Sequence, residues 1–218
     1  MSSPAEAGLL ARFFADLRPG VHVALADSRI VILDVERDRY LRIDRDRSLA
    51  LANVASDPAI TSIAEVLGRK GLTRPPPERL PLGAPSLVAS AHALSNLDLS
   101  KLPGVIGACL WASSALRQVE FSGLLCAVRR PRRLEDAGLM SHVVRDFLQW
   151  RPFFPKDYAC MFEALALLRY LAQRGHWATW VFGVRGAPFA AHCWLERDGV
   201  VLNDEPDAVA AYARIMAV

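Results

Sequence analysis

AAHCWLERDGVVLNDEPD, Ala190 to Asp207, is the stretch on which the reading of this chain turns. Phe189 to Glu196 and Val200 to Asn203 alternate like two short strands, and Arg197-Asp198-Gly199 between them carries turn chemistry, so a β-hairpin is expected. The hairpin sets His192 and Cys193 side by side. With a three-residue loop and Gly199 in the left-handed conformation, Glu196 faces Val200, Trp194 faces Leu202 and His192 faces Asp204. Cross-strand neighbours have Cβ atoms roughly 4.5–5.5 Å apart, within reach of a carboxylate that orients an imidazole. A two-residue loop at Asp198-Gly199 instead pairs His192 with Glu205 and puts Asp204 on the other face, so a His–Asp pair requires the longer loop. Alternation also sends Cys193 to the side of Phe189, Ala191 and Leu195, away from His192, as a buried core thiol.

Working back along the chain, RPFFPKDYACMFEALALLRYLAQRGH opens a helix, with Asp157 as its N-cap and Gly175 as its terminator. Met161, Ala164, Leu165, Leu168, Leu171 and Ala172 recur on one face, which is expected to pack. Cys160 then falls at the third helical position, where free backbone N–H groups and the helix dipole favour a thiolate. A cysteine at a helix start, a histidine on a following strand and a carboxylate behind it follow the logic of thiol acyl-transfer enzymes. The competing reading is a core cysteine, a satisfied strand histidine and a turn aspartate. Between helix and hairpin, WATWVFGV (Trp177 to Val184) is apolar on both faces and reads as an interior strand. Ahead of the helix, Ser86 to Trp150 reads as mainly helical.

The first third has another character. Val21 to Asp27, Arg29 to Val35 and Arg39 to Asp44 read as a three-stranded meander with one solvated face, followed by helical windows at Ser48 to Ala55 and Pro58 to Gly68. Its carboxylates alternate with arginines and it holds no cysteine, so it reads as a recognition module. TRPPPERLPLGAP, Thr73 to Pro85, has five prolines in thirteen residues and suits a linker between domains at residues 1–80 and 81–218. The expected class is α+β.

At 218 residues and 52% hydrophobic content the chain can bury substantial cores. A net charge of +3 gives no ground for a nucleic-acid partner, and the run Arg129-Arg130-Pro131-Arg132-Arg133 reads as solvated surface. The uncharged run Leu102 to Leu116 is shorter than the ~20 residues of a membrane span. With no signal sequence evident, a cytoplasmic protein with no membrane partner is expected. The four cysteines lack metal-site spacing, so no metal and no cofactor are expected.

Tyr158 to Pro206, with Cys160, ALALLRYLAQRGH, WVFGVRGAPFAAHCWLE and GVVLND, resembles the C-terminal domain of lasso-peptide B proteins, a transglutaminase-like cysteine peptidase. The separations of 32 residues from Cys160 to His192 and 12 from His192 to Asp204 agree with that family's pattern. IVILDVERDRYLRID is similar to the PqqD-like leader-recognition elements of ribosomally made peptide pathways. These resemblances imply a small winged-helix-like N-terminal domain of three strands plus helices, and a transglutaminase-like or papain-like α+β C-terminal domain. They imply a leader peptidase: Cys160 as nucleophile, His192 as base and acid, Asp204 orienting His192. They further imply that the leader of a lasso-peptide precursor adds to the third strand at Tyr40, Leu41 and Ile43, and that the partner is an asparagine-synthetase-like lactam synthetase. Acyl transfer to an amine, or a catalytically silent scaffold that delivers the precursor, are the alternatives.

Overall fold

A computed structural model describes residues 20–27, 29–43, 98–128, 137–153 and 160–218, without side chains at 137–139 and 152. The helical windows at Ser48 to Ala55 and Pro58 to Gly68, the linker Thr73 to Pro85, the arginine run and the Asp157 cap lie outside the described residues. The class is α+β: a three-stranded sheet, then helices and a four-stranded sheet. Chain contacts divide the protein into two compact units. One comprises Met1–Arg79, Gly183–Ala191 and Tyr212–Met216, the other Leu80–Phe182, His192–Ala211 and Ala217–Val218.

In the first unit, β1 (Val21–Ala26), β2 (Arg29–Asp34) and β3 (Arg39–Ile43) form an antiparallel meander in that order. Asp27, at φ 49°, turns β1 into β2 so that Ala26 pairs with Arg29. Val35–Asp38 connect β2 to β3, with Asp34 opposite Arg39. The expectation of one solvated face fails for the middle strand, because Ile30–Asp34 are all buried. Asp34 is fully enclosed, and Arg37 holds it at 2.8 Å. The unit also contains the turn between β4 (Thr179–Gly186) and β5 (Phe189–Arg197). Asp27 Oδ2 accepts the backbone N–H groups of Gly186 and Ala187 at 2.9 and 3.0 Å, and Arg29 donates to the Gly186 carbonyl at 2.8 Å. A Cβ at residue 186 would run into the Ala26 carbonyl oxygen, so this approach needs glycine.

In the second unit, a 3₁₀ turn at Leu99–Lys101 leads into α1 (Leu102–Gln118), followed by α2 (Phe121–Ala127), α3 (Ala137–Trp150), a 3₁₀ turn at Arg151–Phe153 and α4 (Cys160–Ala172). Val105, Ala108, Cys109, Ala112 and Ala115 line one side of α1, which packs along α4. With its leading turn, Leu99–Gln118 reaches 20 residues at a mean hydropathy of 1.2. It is thus long and apolar enough to cross a membrane by length and composition, although the uncharged run alone is too short. Instead of one buried face, α4 is buried on nearly all sides from Phe162 to Leu171, with Arg169 exposed. Such a helix belongs inside a core. It ends as expected: Gly175 stands at φ 76°, its N–H reaches the Ala172 carbonyl and that of His176 the Leu171 carbonyl, the double closure of a Schellman motif.

The second sheet has the order β6-β5-β4-β7, with β6 at Val200–Val201 and β7 at Ala213–Ala217, after the short helix α5 (Pro206–Ala210). Strands β4, β5 and β7 contribute residues to both units. At the outer end of β7, Val218 exchanges both backbone hydrogen bonds with Trp180.

Candidate active site

Cys160 is the first residue of α4 that the structure describes. In the first turn of a helix, backbone N–H groups and their partial positive charge favour an anion. The half-buried thiol is held far below the ordinary cysteine range, at about 4. A hydrogen bond from the Cys193 thiol contributes most to this, and burial opposes it. Hydrogen bonds from His192 and from the Cys193 backbone N–H add to it, as does the charge of His192. Cys160 is therefore poised as a thiolate. Cys193 itself is buried at 2% exposure, as its strand face requires.

His192 Nε2 is hydrogen-bonded to Asp204 Oδ2, which leaves Nδ1 as the nitrogen available to the thiolate. The imidazole is lifted to about 9, chiefly by the bond to Asp204 and next by the bond to Cys160, against burial. About a quarter of the His192 side chain and a fifth of Asp204 remain accessible, so the pair is open to a substrate. On the same face of β5, Trp194 stacks on the His192 ring at 6.0 Å and donates its indole N–H to buried Glu196.

The hairpin that delivers this pair has the shorter loop. Arg197 pairs with Val200 and Glu196 with Val201 around Asp198 and Gly199, whose φ values of 51° and 79° are those of a type I′ turn. The expected register, with Glu196 facing Val200 and Trp194 facing Leu202, is wrong. The expectation that a short loop must separate Asp204 from His192 fails as well, because β6 ends at Val201 and the chain bends through Leu202–Asp204. Asn203 substitutes for the lost ladder: its Oδ1 accepts the Leu195 N–H at 2.8 Å. Asp204 Oδ1 accepts the N–H of Glu205 at 2.8 Å, fixing the carboxylate with Oδ2 toward the imidazole.

A second carboxyl, Glu163, was not singled out by sequence reasoning. It sits one turn beyond Cys160, is 4% exposed, and receives Arg151 Nη2 on Oε2 at 2.7 Å. Its Oε1 is buried without a well-aligned donor and has the Asn203 amide as its polar neighbour. Since Asn203 Oδ1 is taken by Leu195, its NH₂ is the group turned to Glu163. Burial lifts this carboxyl to about 7, against the Arg151 charge. The sequence signal was available: Glu163 is the one acid in a helix that is otherwise apolar up to Arg169.

Of the three residues expected to bind a leader, Leu41 pairs with Ile32 and Ile43 with Ile30, so they share a face of β3, while Tyr40 points to the opposite face. There its ring meets Phe189 edge-on at 5.7 Å. All three are partly exposed. Among the described residues, no group of three or more His, Cys, Asp or Glu is placed to hold a metal ion.

A thiolate, an imidazolium and a carboxylate on a helix start and an adjoining strand can carry nucleophilic acyl transfer. Neither curated proteins nor solved structures yielded a match to the chain. Against protein families, residues 104–217, more than half of the chain and including all three of these groups, match the transglutaminase-like superfamily. That superfamily includes cysteine peptidases and acyl transferases. By the extent of this match and the site it encloses, the chain belongs to the transglutaminase-like superfamily.

Proposed function

We propose that the protein is a cysteine peptidase that removes the leader from a ribosomally made lasso-peptide precursor. The observation that carries the reading is the hydrogen-bonded series Cys160, His192, Asp204. The Cys160 thiolate attacks the carbonyl that ends the leader, and the imidazolium of His192 protonates the departing amine, which becomes the new amino terminus of the core peptide. His192, now neutral, takes a proton from water, and the resulting attack frees the leader and regenerates the thiolate. Asp204 holds the ring in the orientation that serves both transfers. The resemblance of the N-terminal segment to leader-recognition elements supports a peptide substrate whose leader adds along β3 at Tyr40, Leu41 and Ile43. It also supports an asparagine-synthetase-like lactam synthetase as the consumer of the new amine. On this reading the domains are residues 1–80 and 81–218 and the protein works in the cytoplasm without a cofactor.

The test is mass spectrometry of the precursor after incubation with the wild-type chain and with Cys160→Ala. Free leader and core from the wild type alone are expected. An adduct joined through a new amide would establish acyl transfer to an amine in place of hydrolysis. Leader release by Cys160→Ala would overturn the mechanism, and an intact precursor with both proteins would leave a delivery scaffold as the reading.

A further inference from the structure

Two places beyond His192 on the same face of β5 stands Trp194, and two places beyond that Glu196. We propose that Trp194 is a positioning residue for the reaction: its indole face stabilises the imidazolium of His192 and keeps the ring in its working plane, while Glu196 anchors the indole. This role rests on the catalytic reading of His192 only for its kinetic readout.

Three observations carry the role. The imidazole and indole planes are 27° apart with ring centroids at 6.0 Å, so the electron-rich face of the indole is turned to the ring that holds the positive charge. Trp194 is 1% exposed, and the attraction of a cation to a π face is strongest away from water. The indole is held in place, because its N–H is donated to the carboxyl of Glu196, itself 7% exposed. That bond also polarises the indole and enriches its face. Packing alone does not call for this arrangement: a leucine would fill the same strand position, and a carboxyl is costly to bury without a polar partner.

Other groups act on the same ring. Asp204 is hydrogen-bonded to Nε2, Cys160 and Glu163 act by charge from α4, and Arg151 offsets Glu163 through their ion pair at 2.7 Å. Asp204 works through a ring nitrogen, in the plane of the imidazole, whereas Trp194 works on the face of the ring. The two contributions are therefore separable. Loss of the π face leaves the Asp204 bond in place, yet it withdraws support from the charged form alone. The imidazolium then gives up its proton at lower pH, and fewer molecules hold the proton that the departing amine needs.

The experiment isotope-labels the histidines of the full-length protein and follows the His192 ring signal, assigned by its loss in His192→Ala, through a pH titration by NMR. The wild-type midpoint is expected at about 9. Trp194→Leu keeps an apolar cover and removes the π face, so its midpoint is expected to fall by roughly half a unit to one and a half units. Leucine serves better than alanine here, because a cavity would admit water, which itself supports the cation. In a second protein every tryptophan carries a fluorine on the indole ring, which withdraws electron density from the face and leaves the packing nearly intact. Its midpoint is expected to fall by on the order of a few tenths of a unit. With the precursor as substrate, the alkaline limb of kcat/KM should move down with the midpoint while KM holds, because a buried indole does not touch the peptide. An unmoved midpoint in the fluorinated protein would overturn the proposal, whether or not Trp194→Leu folds. A midpoint that falls in a protein that cleaves no precursor would sustain the ring contact and overturn the peptidase reading.

Discussion

Between a cysteine lowered to about 4 and a histidine raised to about 9, Cys160 and His192 exist together as thiolate and imidazolium. The sign of the pH dependence follows. Activity is gained as the thiol loses its proton on the acid side and lost as the imidazolium loses its proton on the alkaline side. A bell-shaped kcat/KM with limbs near about 4 and about 9 is expected, the two limbs belonging to the pair as a unit. Asp204→Asn keeps the shape of the orienting group but removes the charge that contributes to lifting His192. It is expected to pull the alkaline limb downward and to lower kcat by about a hundredfold to ten-thousandfold. A variant with an unmoved alkaline limb would deny Asp204 this role. At this scale Cys160, His192 and Asp204 were singled out in the sequence by residue type, spacing and a family resemblance, and a hydrogen bond joins two of them, His192 and Asp204. The part Cys193 plays in lowering the Cys160 thiol was not legible, because strand alternation states which side a residue faces and not what a distant helix start brings to it. Glu163 titrates in the other sense from a salt-bridged surface acid. Its folded value is raised from 4.5 to about 7, so its contribution to stability is fully present below 4.5 and is lost as pH rises through 7. Thermal unfolding of Glu163→Gln, compared with the wild type over that window, should move in favour of the variant as pH increases.

The elements differ in how far local rules determine them. The meander strands and the central helix were readable because β-branched runs, alternation and a glycine terminator are local signals. The extent of burial was less so: β2 is buried from Ile30 to Asp34 and α4 on nearly all sides from Phe162 to Leu171, more than the periodicity of either indicates. The β5–β6 hairpin shows the limit most clearly. Its strands and turn residues were legible, but the loop length was set by two consecutive positive φ values, at Asp198 and Gly199. Asp204 meets His192 because the chain leaves the ladder after Leu202, whose N–H still reaches the Leu195 carbonyl, so the contact arises from an irregularity that an ideal hairpin excludes. Asn203 maintains that irregularity. Asn203→Ala strands the buried Leu195 N–H and is expected to cost about 1–3 kcal/mol of stability. It should also depress kcat more than any KM effect, since Asp204 loses its support. Chemical denaturation and steady-state kinetics on the same variant test both, and a stable variant with unchanged kcat would show that the bend holds without Asn203.

At the scale of the whole molecule, the unit that contains the meander also contains the β4–β5 turn, residues that precede His192 by only a few positions in the chain. Asp27 gives that turn two hydrogen bonds, Arg29 gives it one, and Gly186 is bare so that β1 can approach. Deleting residues 1–80 would remove these bonds. Such a truncation is therefore expected to lose activity in a way that excess peptide does not restore, because it damages the strands as well as any recognition. The recognition role calls for point changes in the full chain. Leu41 and Ile43 share one face of β3, whereas Tyr40 lies on the other and contacts Phe189 beside the β4–β5 turn. Leu41→Ala and Ile43→Ala should raise KM for the precursor about tenfold, a binding loss of about 1.4 kcal/mol, with kcat retained at saturating peptide. They should leave hydrolysis of a short peptide lacking the leader untouched. Tyr40→Ala should raise KM and also lower the melting temperature, through its ring contact with Phe189. Equal losses on leader-bearing and leaderless peptides would assign β3 to the support of the fold and remove it from the recognition of substrate.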